Sequence, residues 1–243
     1  MTIGNQPLDD AGSAGLPHHR ALLDGTDWAS LGTARGDGGF LPAVLTRLLD
    51  PDPAVQTGAL RELEPVHHQD SFYEATVPVA LYVAAILARP TTSARAALPE
   101  WLGSLAWEAD DECVAMGERH FNGGYLETYP ELRAFRDQRP AFYRAVSPFL
   151  DHDDPAVRDA AVIAALPMTE HPDLNCHRGE VGQHARRLLA TSTSRPDRGR
   201  ALAVLKKWGE DIRGLETADD IGAGDRHASA RNGVGGCVDE PPF

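Results

Sequence analysis

Apolar positions take up a helical rhythm at Phe40. Phe40, Leu41, Val44, Leu45, Leu48 and Leu49 recur at spacings that form one stripe on a helix. Pro42 falls in its first turn, where the missing N–H would have had no partner. Asp50-Pro51 ends the helix, because a residue before proline is driven out of the α region. Asp52 then provides an N-cap and Pro53 a first helical residue for a second helix. Its core stripe is Val55, Ala59 and Leu63, with Gly58 read as a point of close approach and Pro65 as the stop. The pattern predicts two antiparallel helices joined by a very short turn.

The arrangement returns later in the chain. Tyr143, Val146, Phe149 and Leu150 form a first stripe, Asp154 and Pro155 repeat the cap, and Val157, Ala160, Ala161, Ala164 and Leu166 form a second stripe closed by Pro167. Between the two pairs, Val77 to Ala88 is apolar at almost every position, which predicts a helix buried on more than one side. A buried strand over Val79–Val83 competes, but the alanines and the length favour helix. Leu98, Trp101, Leu102 and Leu105 mark a further helix over 94–107. Val181, His184, Ala185, Leu188 and Leu189 mark another, and Ala201 to Trp208 a last one closed by Gly209.

Other stretches break the rhythm. Leu22, Leu23, Trp28 and Leu31 suggest a short helical segment with Trp28 as an anchor, and Thr33–Gly39 reads as a loop. His67–Thr76 reads as a connection between helices. Residues 108–139 are acidic and aromatic, an insertion with short helices at 112–120 and 129–138. The expected organisation is a disordered segment 1–19, a helical domain 20–213 and a disordered tail 214–243. The fold class expected is all-α, a short α-solenoid of antiparallel helix pairs.

Composition narrows the functional classes. The chain has 243 residues, 42% of them hydrophobic, enough for one core or a short repeat array. A formal charge of -13 argues against general binding to nucleic acid or anionic membrane. A local basic cluster does exist: Arg186, Arg187, Arg195, Arg198, Arg200, Lys206 and Lys207. Cys113, Cys176 and Cys237 form no CxxC pair or disulfide framework. With no signal-peptide pattern and no apolar run of spanning length, a cytoplasmic location without membrane contact is expected.

The runs Leu48-Leu49-Asp50-Pro51-Asp52-Pro53-Ala54-Val55 and Leu150 to Arg158 resemble HEAT repeats of the armadillo-like α-solenoid group. HEAT units commonly follow the Asp-Pro turn with Val-Arg; Val157-Arg158 keeps that pair, whereas Val55-Gln56 does not. His68 to Pro78 resembles a motif of a narrower set of bacterial HEAT-repeat proteins of uncharacterised function. There a His-Gln-Gly segment precedes a Tyr-x-Ala-Thr helix start, and here Asp70 stands in place of the glycine. The resemblance covers residues 26–90 and 140–210 and implies a binding scaffold.

Residue chemistry singles out several candidate sites. His67, His68, Gln69 and Tyr73 form a polar cluster suited to a ligand, or to satisfying backbone groups in a structured loop. Glu108, Asp110, Asp111 and Glu112 could face a basic partner, or form a solvated surface. Among Trp101, Trp107, Phe121, Tyr125, Tyr129 and Phe135, Tyr125 and Tyr129 are candidate interface anchors, while Trp101 is read as core. His171, Cys176, His177 and His184 can ligate metal, but their spacing matches no structural zinc pattern, and no metal or cofactor is expected. No nucleophile elbow or phosphate loop is present, and no catalytic residue is assigned. The leading expectation is a non-enzymatic scaffold for another, basic protein, of the immunity or antidote type. The alternatives are a nucleic-acid-binding or base-modifying HEAT-like protein and a lyase-like or metal-dependent enzyme.

Overall fold

The computed structural model describes residues 16–89 and 96–221. Expectations placed on 1–15, 90–95 and 222–243, including Cys237, lie outside them. The chain divides into two compact units, Met1–His184 and Ala185–Phe243. The fold is all-α: of the described residues, 68% are helical and 4% lie in strands. In order, the helices are α1 (His19–Gly25), α2 (Leu41–Arg47), α3 (Pro53–Glu62), α4 (Thr76–Ile86), α5 (Ala97–Glu108), α6 (Asp111–His120), α7 (Tyr125–Thr128) and α8 (Pro130–Asp137). They continue with α9 (Arg139–Val146), α10 (Pro155–Met168), α11 (Arg178–Thr191) and α12 (Arg195–Lys207). Among the described residues, no helix is long and apolar enough to cross a membrane.

The two Asp-Pro turns share their local chemistry. Asp52 accepts from the Ala54 N–H at 2.8 Å and Asp154 from the Ala156 N–H at 2.9 Å, each followed by proline at the first helical position. The following side chain also repeats its task. Gln56 donates to the Asp50 carbonyl, and Arg158 donates to the His152 carbonyl at 3.1 Å. Gln56 and Arg158 therefore do the same work, each reaching back across its turn to a backbone acceptor. Gln56 is itself buried, while Val55, expected in the core stripe, is only half-buried.

In the first unit, α5 packs most extensively on α10, and α4 packs against α1, α5, α8 and α9. That environment explains the all-round apolar character of α4, where Val79, Ala80, Tyr82, Val83 and Ile86 are buried. Tyr82, Phe135 and Phe142 are the largest fully buried side chains among the described residues. Each large apolar side chain so buried contributes about 1.5–3 kcal/mol. The close approach expected at Gly58 occurs elsewhere, since nothing lies within 4 Å of a Cβ built there. A Cβ on Gly103 would lie 3.0 Å from the Ala164 Cα, so Gly103 is what lets α5 and α10 meet.

Several expectations change at element ends. Pro167 lies inside the last turn of α10, which runs to Met168, so it does not stop the helix ahead of itself. Thr33–Gly39 contains a ladder, β1 (Gly32–Thr33) with β2 (Gly36–Asp37), and His67–Thr76 contains another, β3 (His67–His68) with β4 (Ser71–Phe72). The segment placed at 214–243 also starts with ordered contacts. Asp220 accepts from the Thr217 N–H and hydroxyl, both at 2.8 Å, and pairs with Arg198 at 2.6 Å. At the other end His19, assigned to the disordered segment, is buried in α1 beside Tyr82.

Candidate functional site, a hairpin against an aromatic face

The β3–β4 hairpin turns on Gln69 and Asp70, with φ of 49° and 59°. Two left-handed residues in a two-residue loop are the signature of a type I′ turn, which normally takes Asn or Gly. For L-residues this conformation costs about 1–2 kcal/mol each, less for Asp than for Gln. The surroundings hold it in place. Buried Thr76 donates to the Val66 carbonyl just before β3 and accepts from the Tyr73 N–H, at 2.9 Å, just after β4. Glu74 accepts from the Gly32 N–H at 2.8 Å, and the Ala34 N–H bonds to the Pro65 carbonyl at 2.8 Å, tying this hairpin to the β1–β2 loop. Tyr73 is half-buried.

Opposite the hairpin tip stand α7 and the start of α8. Asp70, Ser71, Phe72, Tyr125, Tyr129 and Leu132 line an open pocket of about 90 Å³. Behind it the rings continue into the core: Phe72 lies 5.1 Å from Phe135, and Phe135 lies 5.0 Å from Phe142. In front they reach solvent. Phe121, Tyr125 and Tyr129 are mutually packed, with ring centroids 4.9–5.7 Å apart. Phe121 is 42% exposed and Tyr129 40%.

Local chain geometry builds this face. Asn122, Gly123 and Gly124 are all left-handed, and the Gly123 N–H bonds back to the Glu118 carbonyl at 2.8 Å, a Schellman-type end to α6. The reversal lays Tyr125 on Gly117, where a Cβ would come within 2.4 Å of the ring. Burial raises the Tyr125 phenol above its usual range, helped by Tyr129, Cys113 and Asp70.

The acidic run divides into different tasks. Glu108 Oε2 lies 2.7 Å from His67 Nε2, with both atoms shielded from solvent, so the first histidine and the first carboxylate of the expected clusters meet. His67 also packs its ring on Phe72, 4.8 Å away. Asp110 and Asp111, expected to face a partner, are engaged inside the fold. Asp110 caps α6 through the Cys113 N–H at 2.7 Å, and Asp111 pairs with Arg136 at 2.6 Å and donates its N–H to buried Glu170 at 2.8 Å. Arg139, also buried, sits 3.7 Å from Glu170. Glu112 is exposed on α6, and His68 is partly exposed and held by Glu64.

The remaining candidates separate. Among the described residues, no three His, Cys, Asp or Glu side chains converge in a way that could hold a metal. His177 stacks on Tyr143 at 4.8 Å, and His184 is buried. Burial and Asp110 push the Cys113 thiol up to about 12, which keeps it protonated at neutral pH. The basic cluster is largely committed. Arg198 is buried and bonded to Asp220, and Arg186 pairs with Glu210 at 2.7 Å. Arg195 donates to the Asp219 carbonyl at 3.4 Å.

Asp70, Ser71, Phe72, Phe121 and Leu132 were not among the expected site residues. The one signal for them was the aspartate at the position where the resembled motif has glycine. No protein-family model matches the chain, and no curated protein or solved structure does either.

Proposed function

We propose that the protein is a binding scaffold built from HEAT-like helix pairs, α2–α3 and α9–α10, and that it engages another protein through the face formed by Phe121, Tyr125, Tyr129 and the 67–72 hairpin. The shared capping of the two turns supports the repeat reading. The observation that carries the binding reading is the cluster of three packed rings, two of them substantially exposed, beside an open pocket. Exposed aromatic rings on a rigid frame are the side chains most enriched in binding hot spots. Asp70 lines the pocket on a chain of charge -13, so the partner is basic and its association is salt-sensitive. An immunity or antidote protein against a basic toxin is the narrower form of this reading. A nucleic-acid role through the basic cluster is disfavoured, because Arg186, Arg195 and Arg198 are already bonded within the protein.

A photoreactive residue at position 121, expressed in the native host, tests the reading. One dominant protein adduct is expected, and the purified partner should bind about 2 kcal/mol more weakly to Tyr129→Ala. Adducts no different from those of a control site on α12, or partner affinity unchanged by Tyr129→Ala, overturn it.

A further inference from the structure

We propose that the pocket between the hairpin tip and α7–α8 receives an arginine side chain of the partner, its guanidinium lying against the tyrosine rings and donating to Asp70. The proposal rests on the binding reading above and names what that partner presents.

The lining selects the ligand by chemistry. Phe72, Tyr125, Tyr129 and Leu132 supply aromatic rings and an aliphatic side chain, and Ser71 and Asp70 supply polar groups. An anion would meet the Asp70 carboxylate and the negative faces of the rings. A neutral apolar group would strip water from that carboxylate without replacing it. A cation answers both features, since ring faces attract it and the carboxylate pairs with it. Between the two cationic side chains, the planar guanidinium stacks on a ring and forks onto a carboxylate, whereas an ammonium is more strongly hydrated and has no plane to stack.

Asp70 has no ion pair or hydrogen bond from its carboxylate among the described residues, whereas Asp52, Asp110, Asp154 and Asp220 are bonded within the fold. It is also held left-handed at φ 59°, a conformation in which glycine would be more comfortable. Strain retained by a surrounding hydrogen-bonded frame is a mark of sites that need a group held in one place. The frame here is Thr76, Glu74 and the Pro65–Ala34 bond, which together fix the base of the hairpin.

The test uses the full chain and three probes: acetyl-Gly-Gly-Arg-Gly-Gly-amide, the same peptide with citrulline, and agmatine. Citrulline keeps the shape and removes the charge. Titration followed by amide NMR is expected to move the signals of Asp70, Ser71 and Tyr129 with the arginine peptide. The citrulline peptide should bind about fivefold more weakly. Asp70→Asn, which tolerates the left-handed turn, should bring the arginine peptide down to the citrulline level while circular dichroism stays native. Equal binding of the two peptides, shifts confined to other surfaces, or an unchanged arginine affinity in Asp70→Asn overturns the proposal. Agmatine binding more tightly than the peptide assigns the pocket to a free guanidine and overturns the partner assignment. A partner that needs Tyr129, alongside a pocket indifferent to arginine, removes this inference alone. An arginine-binding pocket with partner affinity unchanged in Tyr129→Ala removes the scaffold reading and leaves the pocket.

Discussion

Two kinds of turn in this molecule are built around aspartate. At Asp52 and Asp154 the carboxylate accepts a backbone N–H two residues on, and the aspartate itself has extended backbone geometry. At Asp70 the backbone is left-handed, and the carboxylate makes no hydrogen bond or ion pair among the described residues. The first kind completes a helix end that would otherwise leave donors unpaired. The second adds strain and leaves an acceptor over at the edge of an aromatic pocket. The same side chain thus serves architecture where its charge is satisfied locally and, in the function proposed above, recognition where it is not.

Asp220 is the extreme of the satisfied class. It accepts from Arg198, from the Thr217 N–H and from the Thr217 hydroxyl, and its side chain is 6% exposed. Asp220→Ala should lower stability by about 2 kcal/mol in urea denaturation, because Arg198 is left buried without its counter-charge. The Arg198 hydrogen bond, with those from Thr217, holds the Asp220 carboxyl down to about 2 in the folded state. The unfolded value is near 4. The contribution is therefore whole above pH about 4 and is lost as pH falls through about 2. An Asp220→Asn variant whose stability ran parallel to that of the unaltered protein across this window would contradict the assignment.

Smaller effects are expected at the caps. Asp154→Ala and Asp52→Ala should each cost about 1 kcal/mol, and the double variant the sum, since each cap is a local device. A loss from Asp52→Ala near zero would show that Pro53 and the Gln56 bond to the Asp50 carbonyl set that turn without the cap.

The smallest change should have the opposite sign. Asp70→Gly relieves a left-handed aspartate and is expected to stabilise the fold by about 0.5 kcal/mol, offset in part by the freedom glycine gains when unfolded. Thermal melting checks this. Destabilisation by Asp70→Gly would place Asp70 with the structural aspartates and dissolve the contrast between the two turns.

Much of the helical order could be read directly from residue order. The stripes at Phe40–Leu49 and Tyr143–Leu150, the Asp-Pro caps and the Gly209 stop all act within a few residues, and the helices lie where those signals put them. The hairpin at 67–72 could not, because a Gln-Asp loop lacks the Asn-Gly signature of its turn type. The acidic run at 108–112 also reads uniformly as sequence. Folding separates it into a histidine partner, a helix cap, an arginine partner and one exposed carboxylate.

The sequence by itself determined most of the helical segments, and that two helix pairs share one turn chemistry. Those outcomes follow from capping, proline geometry and apolar period, which need only near neighbours. Tertiary structure alone decided that Gly103, not Gly58, is the point of helix contact, and that Asp70 and Phe72 face Tyr125 and Tyr129 across a pocket. Such pairings depend on which distant helices pack together. That choice is made by the combined burial of many side chains, and no short stretch of sequence encodes it.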